Sequence, residues 1–76
     1  MTYHVKEIGI NNMEKIASLY SKKLGEEFLM EVFGVEGAIK AKFTGFGLFV
    51  YFDNHWMNNE TIFAHLLTGQ AVIREV

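Results

Sequence analysis

Histidine is the side chain best suited to proton transfer near neutral pH, and this chain has three, His4, His55 and His65. Asp53 stands two residues before His55, a pairing that suits acid–base or metal chemistry. The other two histidines are remote in sequence, however, and no His-x3-His spacing exists, so a solvated surface histidine is the better reading of His55. His65, beside Leu66, reads as a partly buried structural residue. Ser18 and Ser21 fall on a polar helical face with no Gly-x-Ser-x-Gly elbow and no neighbouring base. Gly45 and Gly47 do not open a helix, which removes a phosphate-cradling reading. Glu14, Glu26, Glu27 and Glu31 are more simply a solvated face than a carboxylate site. The absence of cysteine excludes disulfides, thiol catalysis and thiolate metal sites. A chain this short has little material for a pocket. The expectation is a non-enzyme with no catalytic residue, no metal and no cofactor.

Trp56, in the stretch Asp53-Asn54-His55-Trp56-Met57-Asn58-Asn59, has two readings. Exposed, it is an interface anchor, because tryptophan buries a large area at low entropy cost. Folded under a helix, it is a hydrophobic staple. The sequence leaves both open.

The elements that must position these residues follow from periodicity. Residues 2–8 carry β-branched and aromatic side chains and stop at Gly9, which predicts a short strand. Asn11 and Glu14 have capping-box spacing, and Met13, Ile16, Ala17, Tyr20 and Leu24 then form one helical stripe. Lys22 and Lys23 before Gly25 suit the C-terminus of that helix. Residues 26–33 are ambiguous: Phe28, Leu29, Val32 and Phe33 have helical spacing, while Phe28, Met30 and Val32 suit a strand. The helix is preferred. From Ala38 the pattern alternates strictly, with Ile39, Ala41 and Phe43 on one face and Lys40 and Lys42 on the other. Thr44 and Gly45 turn this strand into a second one over residues 46–52, forming a hairpin that Asp53 and Asn54 close. Asn58 or Asn59 caps a second helix carrying Ile62, Phe63, Leu66 and Leu67, ending at Thr68 and Gly69. Residues 70–76 make a final strand, with Ala71 and Ile73 on one face and Val72, Arg74 and Val76 on the other.

Composition bounds what this arrangement can do. The 76 residues predict one domain, 1–76, and a domain of that size buries only about 60% of the surface its unfolded chain exposes. Its stability margin is thin, and self-association or a partner would raise it. Seven basic and nine acidic side chains give a net charge of −2, which provides no long-range attraction for a phosphate backbone. No window is long and apolar enough for a membrane span, and the N-terminus lacks a signal-peptide core, so a cytoplasmic protein with no membrane partner is expected.

The element order strand, helix, strand, strand, helix, strand predicts an α+β, ferredoxin-like split βαβ (βαββαβ) fold. It has a four-stranded antiparallel sheet with two helices on one face. The run Phe43-Thr44-Gly45-Phe46-Gly47-Leu48-Phe49-Val50-Tyr51-Phe52 is apolar at both parities, so both of its faces should be covered. With Gly47, Phe49 and Tyr51 placed under the helices, Phe46, Leu48, Val50 and Phe52 line the uncovered face beside Tyr3. Such an apolar row marks a contact surface.

The octapeptide Thr44-Gly45-Phe46-Gly47-Leu48-Phe49-Val50-Tyr51 resembles the third-strand signature of the RNA-recognition-motif family. The resemblance implies a base-stacking platform at Phe46 and Leu48, with Tyr3 on the first strand. Thr44 stands where the family has a basic residue and Leu48 where it has a ring.

These readings converge on a small non-enzymatic protein-binding module. Its contact residues are Tyr3, Phe46, Leu48, Val50, Phe52 and Trp56, and its simplest partner is itself, as a homodimer or larger homo-oligomer packed sheet to sheet. Size and composition suggest an accessory or inhibitor protein of a phage or mobile element. The alternatives are an RNA-binding domain using Tyr3, Phe46 and Leu48, and a small-ligand regulatory domain.

Overall fold

The computed structural model describes residues 12–74 of the chain. The predicted first strand, and Tyr3 with it, lies outside the described residues. The first described element is a helix, α1, over residues 12–19, with Met13 and Ala17 buried and Ile16 and Tyr20 packed at the margin of the core. It ends one turn earlier than Gly25 suggested. Ser21 takes the left-handed conformation (φ 61°), and the Lys22 amide donates to the Ala17 carbonyl at 2.9 Å, closing the last turn.

Five strands and a second helix follow: β1 (Glu27–Val32), β2 (Ile39–Thr44), β3 (Gly47–Phe52), β4 (His55–Asn58), α2 (Glu60–Leu67) and β5 (Ala71–Arg74). The sheet order is β4-β3-β2-β1-β5 and every pairing is antiparallel. Among the described residues the fold is therefore α+β with a five-stranded antiparallel sheet and two helices, and the four-stranded ferredoxin-like expectation is corrected. Two local features account for the difference. Residues 27–32 form a strand rather than a helix, with Phe28, Met30 and Val32 turned inward at period two. Asp53 and Asn54, at φ 55° and 69°, make a two-residue turn, so the segment after it returns as β4 instead of running as a loop into the second helix.

Antiparallel pairing throughout leaves β4 and β5 running in the same direction at opposite edges. The chain must cross the whole sheet between them, and α2 makes that crossing. Of the two candidate caps it is Asn59 that acts, its side-chain oxygen accepting from the Ile62 amide at 2.9 Å. Leu66 is buried in the same cluster that holds Met13 and Ala17, and Ile62 and Phe63 pack against it, so both helices cover one face of the sheet. Phe43 is the hub of that core. It is fully buried, with its ring centroid 5.8 Å from Tyr20, 5.2 Å from Phe28 and 6.3 Å from Phe63.

The hairpin β2–β3 forms as predicted, but its faces are reversed. Ala41 pairs with Val50 and Phe43 with Leu48, which puts Leu48 and Val50 beneath the helices, 0% and 3% exposed. Phe49 and Tyr51 face outward. Gly47 sits at the start of β3 with φ 133°, where an added Cβ would lie 3.4 Å from the Asn58 side chain; the backbone is strained there for any other residue.

Candidate functional site

The helix-free face is read across the strands from the register. Lys42 pairs with Glu27 on one side and Phe49 on the other, and Phe49 pairs with Asn58. One step along, Arg74 pairs with Leu29, Leu29 with Lys40, and Tyr51 with Trp56. The β2–β3–β4 half of this face is thus a lysine column beside an aromatic column, and the acidic residues Glu27 and Glu31 stand one strand away on β1. Arg74 partly offsets them, its Nε 3.6 Å from the Glu31 carboxylate.

The lysines lie over the rings. Lys42 Nζ is 4.3 Å from the Trp56 ring centroid, Lys40 Nζ is 5.2 Å from that of Tyr51, and the two rings meet edge to face at 5.3 Å. Each cation–ring contact at such a partly exposed site contributes about 0.5–1 kcal/mol, and the aliphatic stems cover apolar surface while the ammonium groups stay wet. Trp56 is half-buried on a strand, on the face away from α2, so it is neither fully exposed nor a staple under that helix.

Around the end of the sheet this face passes into an apolar cleft of about 830 Å³. Val35, Ile39, Phe52, Met57 and Ile62 line it, and Tyr51 and Lys40 belong to both cleft and face. Phe52 is 67% exposed and Val35 52%, so the cleft presents large side chains to solvent at its mouth. Its charged lining residues are Glu36 and Lys40.

The expected contact residues do not come together. Leu48 and Val50 are core. Phe46 projects from the β2–β3 turn at one end of the sheet, Phe52 lines the cleft at the other, and Trp56 lies on the open face. The stacking positions implied by the resemblance to RNA-recognition motifs fare likewise: Phe46 lies in a turn, Leu48 is buried and Tyr3 is outside the described residues. Lys40, Lys42, Phe49 and Tyr51 are the members that the sequence reading missed. The Asp53–His55 pair is a local contact, a His55 Nδ1 to Asp53 carbonyl oxygen distance of 3.0 Å within the turn. Among the described residues no three His, Asp or Glu side chains form a metal-binding group, and no helix is long and apolar enough to cross a membrane. Compared with family models, with curated proteins and with solved structures, the chain matches none.

Proposed function

We propose that this protein is a small non-enzymatic protein-binding module whose working surface is the cation–aromatic face of β2–β3–β4 together with the apolar cleft it leads into. The observation that carries the reading is their continuity. Tyr51 and Lys40 join a patch of rings and ammonium groups to an open apolar groove, with Phe52 and Val35 held exposed beside it. Interface anchors are typically such aromatic groups, and the groove supplies room for a partner's apolar side chains. The matching partner is a protein segment that alternates acidic and apolar residues, its carboxylates meeting Lys40 and Lys42 and its apolar groups entering the cleft. Sheet-to-sheet dimerisation through the row Phe46, Leu48, Val50 and Phe52 loses its basis, since Leu48 and Val50 are covered.

A second reading uses the same rings and lysines for a single-stranded nucleic acid, stacking bases on Tyr51 and Trp56 and pairing the lysines with phosphates. The overall charge of −2 and the acidic column on β1 weigh against it. Trp56 is the only tryptophan, so its fluorescence reports on this face directly. Titration with a peptide of alternating glutamate and leucine is expected to shift Trp56 emission saturably, and Tyr51→Ala is expected to weaken binding by about tenfold or more. Poly-glutamate should give no saturable change. Saturation by a short oligouridine alone would transfer the site to the second reading.

A further inference from the structure

The charged groups along β2 and the loop before it stand in a fixed order. Lys42 and Lys40 lie on the open face, two residues and so about 7 Å apart along the strand. Lys40 also lines the cleft, and so does Glu36, which lies in the β1–β2 loop beyond the start of the strand. A partner passing from the face into the cleft meets two cations, then apolar side chains and an anion in the loop. That loop has a set shape: the Val35 amide donates to the Val32 carbonyl at 3.0 Å, and Gly34 and Gly37 both take φ 86°, a conformation that favours glycine. Among the described residues the ion pairs are Lys22 with Glu26 and Arg74 with Glu31, so Lys40, Lys42 and Glu36 are not neutralised by one another there.

The β1 side of the face repels acidic groups. Glu27 stands opposite Lys42, and Glu31 is exposed on the same strand. Both lysines lean the other way, over the rings of Tyr51 and Trp56. The path left for a partner's carboxylates therefore runs from the cleft over Tyr51 towards Trp56. A carboxylate on the other side of the apolar anchor would face Glu36 instead.

We propose that this surface reads its partner by charge order: the bound segment carries two acidic residues, then an apolar anchor, then a basic residue, in either chain direction. The acidic pair meets Lys42 and Lys40, the anchor enters the cleft and the basic residue meets Glu36. This rests on the face and cleft being the docking surface, as read above, and gives the acidic–apolar partner an order and a basic end. Charge complementarity of this kind fixes register and rejects wrong partners more than it adds affinity.

Two peptides of one composition test the order by titration against Trp56 fluorescence at low ionic strength. The first is Glu-Ser-Glu-Ser-Leu-Ser-Lys, with its carboxylates two residues apart as the lysines are. The second, Lys-Ser-Glu-Ser-Leu-Ser-Glu, exchanges the two ends and keeps the net charge and the anchor. Each exposed charge contact changes affinity by about 1.5- to 5-fold, and the exchange turns two attractions into two repulsions, so the first peptide is expected to bind at least about fivefold tighter. Added salt should narrow the difference. Glu36→Lys, in the exposed loop, should reduce the preference by about twofold or more, and Glu36→Lys combined with Lys42→Glu should reverse it. Equal binding of the two peptides, or a preference unchanged in both variants, would overturn the charge order, and saturable binding of both would then leave the docking surface standing. If neither of them nor the alternating glutamate–leucine peptide shifts Trp56 emission, the docking surface falls as well.

Discussion

Leu48→Asp is expected to abolish the folded state, whereas Tyr51→Asp, three residues along the same strand, leaves the protein folded and removes its binding. Leu48 is fully buried between the sheet and the helices. Deleting a buried leucine side chain costs about 2–5 kcal/mol, and an unpaired carboxylate in that position adds several more. A domain of 76 residues has a total stability of about 4–11 kcal/mol at typical values per residue, so the substitution exceeds or exhausts it. Tyr51 faces solvent beside Lys40, where an aspartate has water and a cation as neighbours. Its cost is the loss of one cation–ring contact, the edge contact with Trp56 and some strand preference, about 1–3.5 kcal/mol in all. Circular dichroism with a denaturant titration distinguishes the two. A folded Leu48→Asp together with an unfolded Tyr51→Asp would mean that the faces of β3 are reversed.

Phe43→Ala carries the second-largest expected effect. Three aromatic rings from α1 or its end, β1 and α2 converge on Phe43, and the Gly25 amide donates to its carbonyl at 2.8 Å, so it ties both helices to the centre of the sheet. Truncation to alanine costs about 3–5 kcal/mol, since Tyr20, Phe28 and Phe63 cannot collapse into the space together. The expected result is a denaturation midpoint reduced by a third or more, or a largely unfolded protein. An unchanged midpoint would contradict this core. Phe46→Ala, an exposed phenylalanine in the same hairpin, serves as the control and should alter stability by no more than about 0.5 kcal/mol.

Much of the local structure was legible because it rests on short-range chemistry. The stripe Met13, Ile16, Ala17 and Tyr20 gave the first helix, though its last member Leu24 lies beyond the helix end; an asparagine cap at residue 58 or 59 gave the second, and the alternation of residues 38–43 gave the hairpin strand. Residues 27–32 were misread because their apolar spacing satisfies both periods, and pairing with β2 and β5 on either side decides for the strand. The face of β3 could have been read and was not. Lys40 and Lys42 must face water, and residues paired across a hairpin share a face. Whether the turn closes at Phe43 and Phe46 or at Thr44 and Gly47, even-numbered residues of β2 meet odd-numbered residues of β3, so the lysines carry Phe49 and Tyr51 outward with them. The Asp53-Asn54 turn was likewise visible as a two-residue hairpin signal. The cleft was not legible, because it joins the β1–β2 loop, residues of four strands and the start of α2, and no local pattern brings those together.

The central claim is that the open β2–β3–β4 face and its cleft form the protein's binding surface. Its most direct test is to follow the backbone amide and indole NMR signals as the glutamate–leucine peptide is added. The account predicts shifts at Lys40, Lys42, Phe49, Tyr51, the Trp56 indole and Met57, with α1 and the buried Leu48 side unmoved. Shifts confined to the polar side of α1, around Glu14, Lys15 and Ser18, or no shifts at all, would contradict it.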